Sequence, residues 1–136
     1  MLYDLQQIFK VYRISSICYC NLGNYNNKTF IIKDNTNNGE VCSKTLFKYY
    51  QEGDKIWGEY YGGSIIKGFI IGQVFNNGNI SFYYQHINND NDIRIGKCDS
   101  KPELLENGLL RMYESWQWLN GDKSAGNSIL EEIKER

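Results

Sequence analysis

The feature that most constrains this chain is a series of Asn-Gly dipeptides that separate runs of alternating apolar and polar residues. They occur at Asn38-Gly39, Asn77-Gly78, Asn107-Gly108 and Asn120-Gly121. Asn-Gly favours two-residue hairpin turns because both positions tolerate positive φ. Turn signals recur roughly every ten to fifteen residues, which is typical of an antiparallel all-β domain. The predicted strands are Lys28–Lys33, Glu40–Tyr50, Ile56–Tyr61, Ile65–Phe75, Ile80–Asn88, Ile93–Ser100, Leu109–Leu119 and Ser124–Ile133.

About eight consecutive antiparallel strands avoid exposed edges most simply by closing on themselves. We therefore predict an all-β fold, an up-and-down barrel of lipocalin-like, calycin-type build; a two-sheet sandwich is the alternative. Gly68 and Gly72, which share a face with Ile66, Ile70 and Val74, would mark places where the barrel bends or its lumen is crowded. We expect Pro102 at a strand end, because proline cannot donate to a strand ladder.

Residues 1–22 differ in character from the rest of the 136-residue chain. Apolar residues at three- and four-residue spacing predict one short amphipathic helix; they are Leu2, Leu5, Ile8, Phe9 and Tyr12. The predicted organisation is an N-terminal extension over 1–22, which contains this helix, followed by a single β-barrel domain over 23–136.

Charge and composition exclude several classes of partner. The formal net charge is −1 and the basic residues are scattered, which argues against nucleic acid and anionic membrane surfaces. No apolar run approaches the roughly 20 residues of a membrane helix, and Asp4, Lys10 and Arg13 interrupt any export signal. We expect a cytoplasmic protein, monomeric or homodimeric. Its four cysteines, of which Cys18 and Cys20 form a Cys-x-Cys pair, are expected to be reduced thiols without metal.

The C-terminal part of the chain places a carboxylate on the same strand face as two indoles. Alternation puts Glu114 with Trp116 and Trp118 on one side of the Leu109–Leu119 strand. A barrel of eight strands is either filled by side chains or just able to hold one small ligand. The same counting on other strands gives the full set of candidate ligand-binding residues, which are Glu114, His86, Trp116, Trp118, Glu59, Tyr84 and Cys98.

Glu114 is the most informative of these, because a carboxylate on a core-facing register has no inexpensive structural role. A thiol nucleophile, base and orienting carboxylate could be drawn from Cys98, His86 and Glu114, and a hydrolytic pair from Glu59 and Glu114. Face counting alone supports either scheme. The sequence contains no phosphate loop, nucleophile elbow, His-Glu-x-x-His motif or dinucleotide fingerprint. These observations favour small-ligand binding or an accessory module over an enzyme, and no cofactor is expected.

Another alternative is an interaction protein. Phe69, Ile71 and Phe75 form an apolar face on the predicted exterior. Such a face would contact a partner, or pack against the N-terminal segment.

Several motifs resemble those of a family of small bacterial proteins that bears the name N-acetylglutamate synthase. The residues that carry the likeness are Asn38-Gly39-Glu40-Val41, Tyr60-Tyr61-Gly62-Gly63, Lys67-Gly68, Gly72, Gly96-Lys97-Cys98 and Glu114-Ser115-Trp116-Gln117-Trp118. The resemblance covers about Tyr25 to Glu132 and implies a small β domain. Its name implies amino-acid N-acetyltransferase activity as an alternative function. The glycine loop at a helix N-terminus that binds the acetyl-CoA pyrophosphate is missing from this sequence, so no catalytic residues are carried over.

Overall fold

The computed structural model describes residues 23–134, which form a closed barrel of eight antiparallel strands. The strands are β1 (Lys28–Asn35), β2 (Leu46–Glu52), β3 (Lys55–Gly62), β4 (Ile65–Val74), β5 (Ile80–Asn88), β6 (Ile93–Leu104), β7 (Leu110–Trp118) and β8 (Ala125–Ile133). Each strand pairs with its neighbour in sequence, and β8 pairs with β1. The predicted all-β, calycin-type barrel is confirmed. The predicted extension over 1–22, with Cys18 and Cys20, lies outside the described residues.

Two strand boundaries differ from the prediction by more than two residues. Residues 36–45 form a loop instead of the start of β2, because local bonds compete with the ladder: the Thr45 hydroxyl accepts from the backbone N–H of Cys42. β6 continues past Pro102 to Leu104, so the proline lies inside the strand. It is tolerated there because pairing with β5 ends at Ser100, and only β7 continues beside it.

On β5 to β8 the residues predicted to face inward do face inward. On β3 the residues predicted to face outward are the buried ones. Ile56 and Tyr60 are buried in the barrel, and Trp57, Glu59 and Tyr61 face outward. Both faces of β3 carry aromatic residues, so alternation alone does not distinguish them. In β4, the register shifts between Ile65 and Lys67, so Ile65 is buried and Ile66, predicted on the inner face, is exposed.

Three glycines make room for large aromatic side chains inside the barrel. Tyr60 pairs directly with Gly68 across β3 and β4. In the same way Tyr84 lies opposite Gly96, and Trp116 lies opposite Gly126. Each aromatic ring occupies the space that a Cβ on its glycine would need. The glycines on one strand thus set where the rings of the next strand lie.

One end of the barrel is closed by Tyr25, which precedes β1 and is fully buried. Its hydroxyl donates to the carbonyl of Gly78 in the β4–β5 turn, and its backbone N–H donates to Gln51 Oε1 at 2.8 Å. Its ring lies 6.3 Å from that of Tyr49. Loop 36–45 lies at the opposite end, so any access to the interior is expected there.

Within residues 23–134 there is no helix long and apolar enough to cross a membrane.

We predict that Gly68→Ala destabilises the barrel by about 1 to 3 kcal/mol, because overpacking forces side chains and backbone to shift. The new methyl would lie 2.6 Å from both Cε1 and Cε2 of Tyr60. In Tyr60→Leu these ring atoms are gone, so the double variant should lose less stability than the sum of the single losses. Urea unfolding of the four proteins measures this coupling. Strictly additive losses would show that the ring does not occupy this space.

Candidate functional site

The barrel interior is mostly filled, but a cavity of about 50 Å³ remains in the half nearer to loop 36–45. A space of this size has room for a few water molecules. Its walls are largely aromatic and aliphatic, with two carboxyl groups, one imidazole and no lysine or arginine. The lining residues come from all eight strands and from loop 36–45. The polar ones are Asn35, Glu40, Tyr49, Tyr60, Tyr84, His86, Cys98, Glu114 and Ser128.

Glu114 carries the most unusual group in this cavity. The residue lies on β7 between Met112 and Trp116, is only 9% exposed, and its Oε2 has no hydrogen-bond partner. Burial raises the pKa of Glu114 from the ordinary 4.5 to about 8, and the nearby Ser100 and Cys98 side chains offset this only partly. The carboxyl is therefore mainly protonated at neutral pH.

Two further buried oxygens near Glu114 have no partner. The Tyr49 hydroxyl lines the same cavity, and Ser100 lies opposite Glu114 across the β6–β7 ladder. Neither the Tyr49 hydroxyl nor Ser100 Oγ makes a hydrogen bond. Ser128, by contrast, is satisfied: it accepts from Trp116 Nε1 and donates to Asn35 Oδ1. An unsatisfied buried polar group costs about 1 to 3 kcal/mol, so three of them in one region is a costly arrangement for a purely structural core.

Aromatic rings form the wall next to this polar region. Trp116 and Trp118 pack edge to face with centroids 5.5 Å apart, and Tyr84 lies 5.7 Å from Trp118. Trp118 Nε1 donates to the carbonyl of Asn38 at 3.1 Å, which ties the indole to loop 36–45. The loop is thereby fixed over the aromatic wall.

Glu40, in the middle of that loop, anchors it to the barrel mouth. Its carboxylate accepts from His86 Nε2 at 2.8 Å, from Asn88 Nδ2 at 3.2 Å and from Arg94 Nη1 at 2.6 Å. Burial alone would raise the pKa of Glu40, but these hydrogen bonds and the Arg94 charge outweigh it and hold the pKa below its usual value. The Arg94 guanidinium also lies 4.0 Å from the centroid of the Trp118 ring, a cation–π contact.

His86 connects this anchor with the interior. Because an ionised carboxylate only accepts, we assign the Nε2 proton to the bond with Glu40, which leaves Nδ1 to accept from the Tyr60 hydroxyl at 2.7 Å. Burial lowers the pKa of His86, although Glu40 acts to raise it. The ring is therefore neutral at pH 7, with both of its nitrogens engaged.

The comparison with known families agrees with this geometry. The profile of a family described as "Avidin-like protein" matches residues 23–133, which is most of the chain and nearly all of the described barrel. The chain belongs to the avidin-like family. No curated protein matches the sequence. The resemblance to proteins named N-acetylglutamate synthase is neither supported nor refuted by this match and stays a prediction.

Six of the seven predicted site residues line the cavity of this avidin-like barrel: Glu114, His86, Trp116, Trp118, Tyr84 and Cys98. Glu59 does not. It lies on the outer face of β3, where its side chain is 40% exposed and pairs with Lys67 at 3.3 Å. Its predicted place in the lumen is wrong, because the face of β3 that enters the barrel is the one that carries Ile56 and Tyr60. Whether the six residues contact a ligand stays a prediction.

Neither acid/base scheme drawn from the sequence forms in the structure. Both ring nitrogens of His86 are occupied by Tyr60 and Glu40, so the imidazole has no free nitrogen for a thiol. Cys98 Sγ instead donates to the Asp99 carbonyl at 3.7 Å, and burial raises its pKa. A Glu59 and Glu114 pair is excluded because the two carboxyl groups lie on opposite sides of the barrel wall.

Four residues of the site escaped the sequence prediction: Glu40, Tyr49, Tyr60 and Arg94. Glu40 falls within a predicted strand, because a two-residue turn at Asn38-Gly39 would end just before it. Tyr60 lies on the face of β3 that the sequence predicts to point outward. Nothing in the sequence indicates that Glu40 reaches His86 and Arg94, which are 46 and 54 residues away.

The described part of the chain contains no cluster of candidate metal ligands. Among residues 23–134, no three His, Cys, Asp or Glu side chains are grouped so that they could hold an ion. Cys42 and Cys98 are free thiols.

The raised pKa of Glu114 predicts that stability falls as pH rises above neutrality. A carboxyl whose pKa is higher in the folded than in the unfolded protein contributes its full stability below about pH 4.5, and this is lost as pH rises through about 8. The full loss is about 5 kcal/mol, of which about 2 kcal/mol falls between pH 6.5 and 9. Urea unfolding between pH 6.5 and 9 should show the decline, and Glu114→Gln should flatten it. In this window Glu40 stays ionised and His86 neutral, so neither obscures the effect.

The matched control is Glu106→Gln, which removes an exposed carboxyl from the β6–β7 turn. It should keep the wild-type slope. If Glu114→Gln kept that slope too, the Glu114 carboxyl would have to be ionised and solvated in the folded protein.

Proposed function

We propose that this protein binds a small ligand inside the barrel, between loop 36–45 and the Glu114 carboxyl. The observation that carries the proposal is the unpartnered Glu114 Oε2, nine-tenths buried in a cavity. A buried polar group without a partner is costly, and a ligand that supplies one recovers the cost. A pocket with apolar walls and a few converging polar groups is the usual form of a small-molecule site.

Membership of the avidin-like family supports the same proposal. Avidin-like barrels bind small ligands such as biotin. The eight-stranded barrel, closed at one end by Tyr25 and covered at the other by loop 36–45, provides a comparable enclosed interior. The family does not fix which ligand binds here, because the polar groups that would recognise the ligand are this chain's own.

The present cavity limits what fits without rearrangement. About 50 Å³ is enough for a ligand of only a few heavy atoms. A molecule the size of biotin would require loop 36–45 to move away from the mouth. That movement would break the bonds of Glu40 to His86, Asn88 and Arg94. The Glu40 contacts therefore set the energetic cost of admitting a larger ligand.

A screen of small polar molecules, with biotin included, tests the proposal through thermal shift and tryptophan fluorescence. A ligand that binds the folded state raises the unfolding temperature, and Trp116 and Trp118 report occupancy because they line the cavity. We expect Glu114→Leu to lose the response to any hit while gaining stability, because it removes an unsatisfied buried group. Glu106→Gln should respond as wild type does. A hit whose affinity is the same in Glu114→Leu would place binding elsewhere.

The outer surface favours a second role, in self-association. The outer apolar face, which we define as Trp57, Phe69, Ile71, Tyr83 and Ile95, is exposed on four adjacent strands. Trp57, Ile71 and Tyr83 lie directly beside one another in register. Contiguous exposed apolar surface of this kind commonly marks a protein contact. Avidin-like proteins are often oligomeric, so we propose a second copy of this chain as the partner.

Light scattering coupled to size exclusion tests this association. The wild-type protein should elute with twice the chain mass, and Ile71→Lys should elute as a monomer, because a charge at a centre of apolar contact cannot be buried unpaired. Ile71 is 69% exposed, so the substitution should change the stability of the monomer by no more than about 0.5 kcal/mol. Tyr113→Lys, which changes an exposed residue of β7 that lies beside Lys101 and outside this face, is the control. A wild-type protein that stays monomeric at high concentration would contradict the proposal.

A further inference from the structure

We propose that the ligand of the barrel interior carries a primary ammonium group, which the Glu114 carboxylate holds as its counter-ion together with the hydroxyl oxygen of Tyr49. This inference rests on the proposed function and names its ligand class.

The number and kind of unpartnered atoms point to this class. Among residues 23–134, four buried side-chain polar atoms make no hydrogen bond; three are oxygens, on Tyr49, Ser100 and Glu114, and the fourth is Arg94 Nε at the mouth. All three oxygens can accept a hydrogen bond, and Tyr49 and Glu114 line the cavity. A primary ammonium has three N–H donors and no acceptor. It therefore complements the Tyr49 hydroxyl oxygen and the two oxygens of an ionised Glu114. The Tyr49 hydroxyl and a protonated Glu114 can also donate to a carboxylate ligand, so the charges around the cavity decide between the two classes.

The charges around the cavity favour a cation as well. The lining contains the carboxyl groups of Glu40 and Glu114 but no lysine or arginine. Glu40 is already neutralised, since Arg94 pairs with it at 2.6 Å. Glu114 has no such partner and stays protonated because a lone buried charge is costly. A ligand cation would supply the missing charge, whereas an anion would add a second uncompensated one.

The aromatic wall contributes to the same selectivity. Trp116, Trp118, Tyr84 and Phe82 line the cavity, and ring faces attract cations when water is excluded. The same surface would pack against a short alkyl chain attached to the nitrogen. The cavity volume of about 50 Å³ restricts that chain to a few carbons. The inferred ligand class is a short alkylammonium or a larger molecule ending in one.

Binding of this kind releases one proton. The Glu114 carboxyl gives its proton to solvent, the ligand nitrogen keeps all three of its own, and the product is a carboxylate–ammonium pair. The titratable groups that face Glu114 are Tyr49 from β2, Tyr60 from β3, Tyr84 from β5 and Cys98 from β6. Burial raises the pKa of each of them, so all four stay neutral near pH 8. Affinity should therefore increase from pH 6 to about 8 through Glu114 alone.

The experiment compares three probes of similar size: ethylammonium, acetamide and acetate. Each is titrated into the full chain while the indole N–H resonances of Trp116 and Trp118 are followed by NMR, at pH 6 and pH 8. We expect ethylammonium to shift these resonances, with at least about tenfold tighter binding at pH 8, and acetate to have no effect. Glu114→Gln should weaken ethylammonium binding at least about tenfold, the loss expected for one charge-assisted contact. Glu106→Gln should leave it unchanged.

The possible failures have different meanings. Saturable binding of acetamide or acetate in preference to ethylammonium would overturn the ammonium class while supporting a ligand site in the barrel. Ethylammonium binding that Glu106→Gln weakens as much as Glu114→Gln would also overturn it, because a general charge effect would explain the result. If none of the three probes binds, the ammonium class is overturned, and the broader screen decides separately whether the interior binds any ligand.

Discussion

The pairing of β8 with β1 is the constraint on which the rest of the structure depends. Once the last strand pairs with the first, every strand has an inner and an outer face, and alternate side chains must enter the lumen. Glu114 follows from this geometry: it lies on the same face of β7 as the buried Leu110, Met112, Trp116 and Trp118, so its carboxyl is turned into the lumen. The unusual ionisation of Glu114 is therefore a consequence of barrel closure.

The interior is shaped by three pairs, each of a large aromatic side chain and a glycine on the adjacent strand. Tyr60, Tyr84 and Trp116 each lie over a glycine on the adjacent strand, which brings the rings close to the barrel wall. With the rings against the wall, a small volume remains in the half of the lumen nearer to loop 36–45. The Glu40 carboxylate then fixes loop 36–45 over this volume through His86 and Arg94. Packing forms the cavity, and electrostatics holds its cover.

The sequence predicts the strands and the closed barrel because hairpin turns and period-two alternation are local signals. It also predicts the inward orientation of Glu114 and His86, where one strand face is clearly more apolar than the other. It fails for β3, where Trp57 and Tyr60 make both faces aromatic, and the pairing of Tyr60 with Gly68 on β4 is a contact between strands that alternation does not show. It fails again for Glu40, because a bond between a loop and strands about 50 residues away leaves no periodic trace.

The most direct test of this account is the ionisation of Glu114 itself, followed through the carbon-13 chemical shift of its side-chain carboxyl as pH is raised. Assignment rests on the one resonance that disappears in Glu114→Gln. The account predicts a titration midpoint near 8, because a buried carboxyl without a counter-ion resists ionisation. A midpoint near the ordinary 4.5 would mean that the carboxyl is solvated or paired, and the interior site described here would not exist.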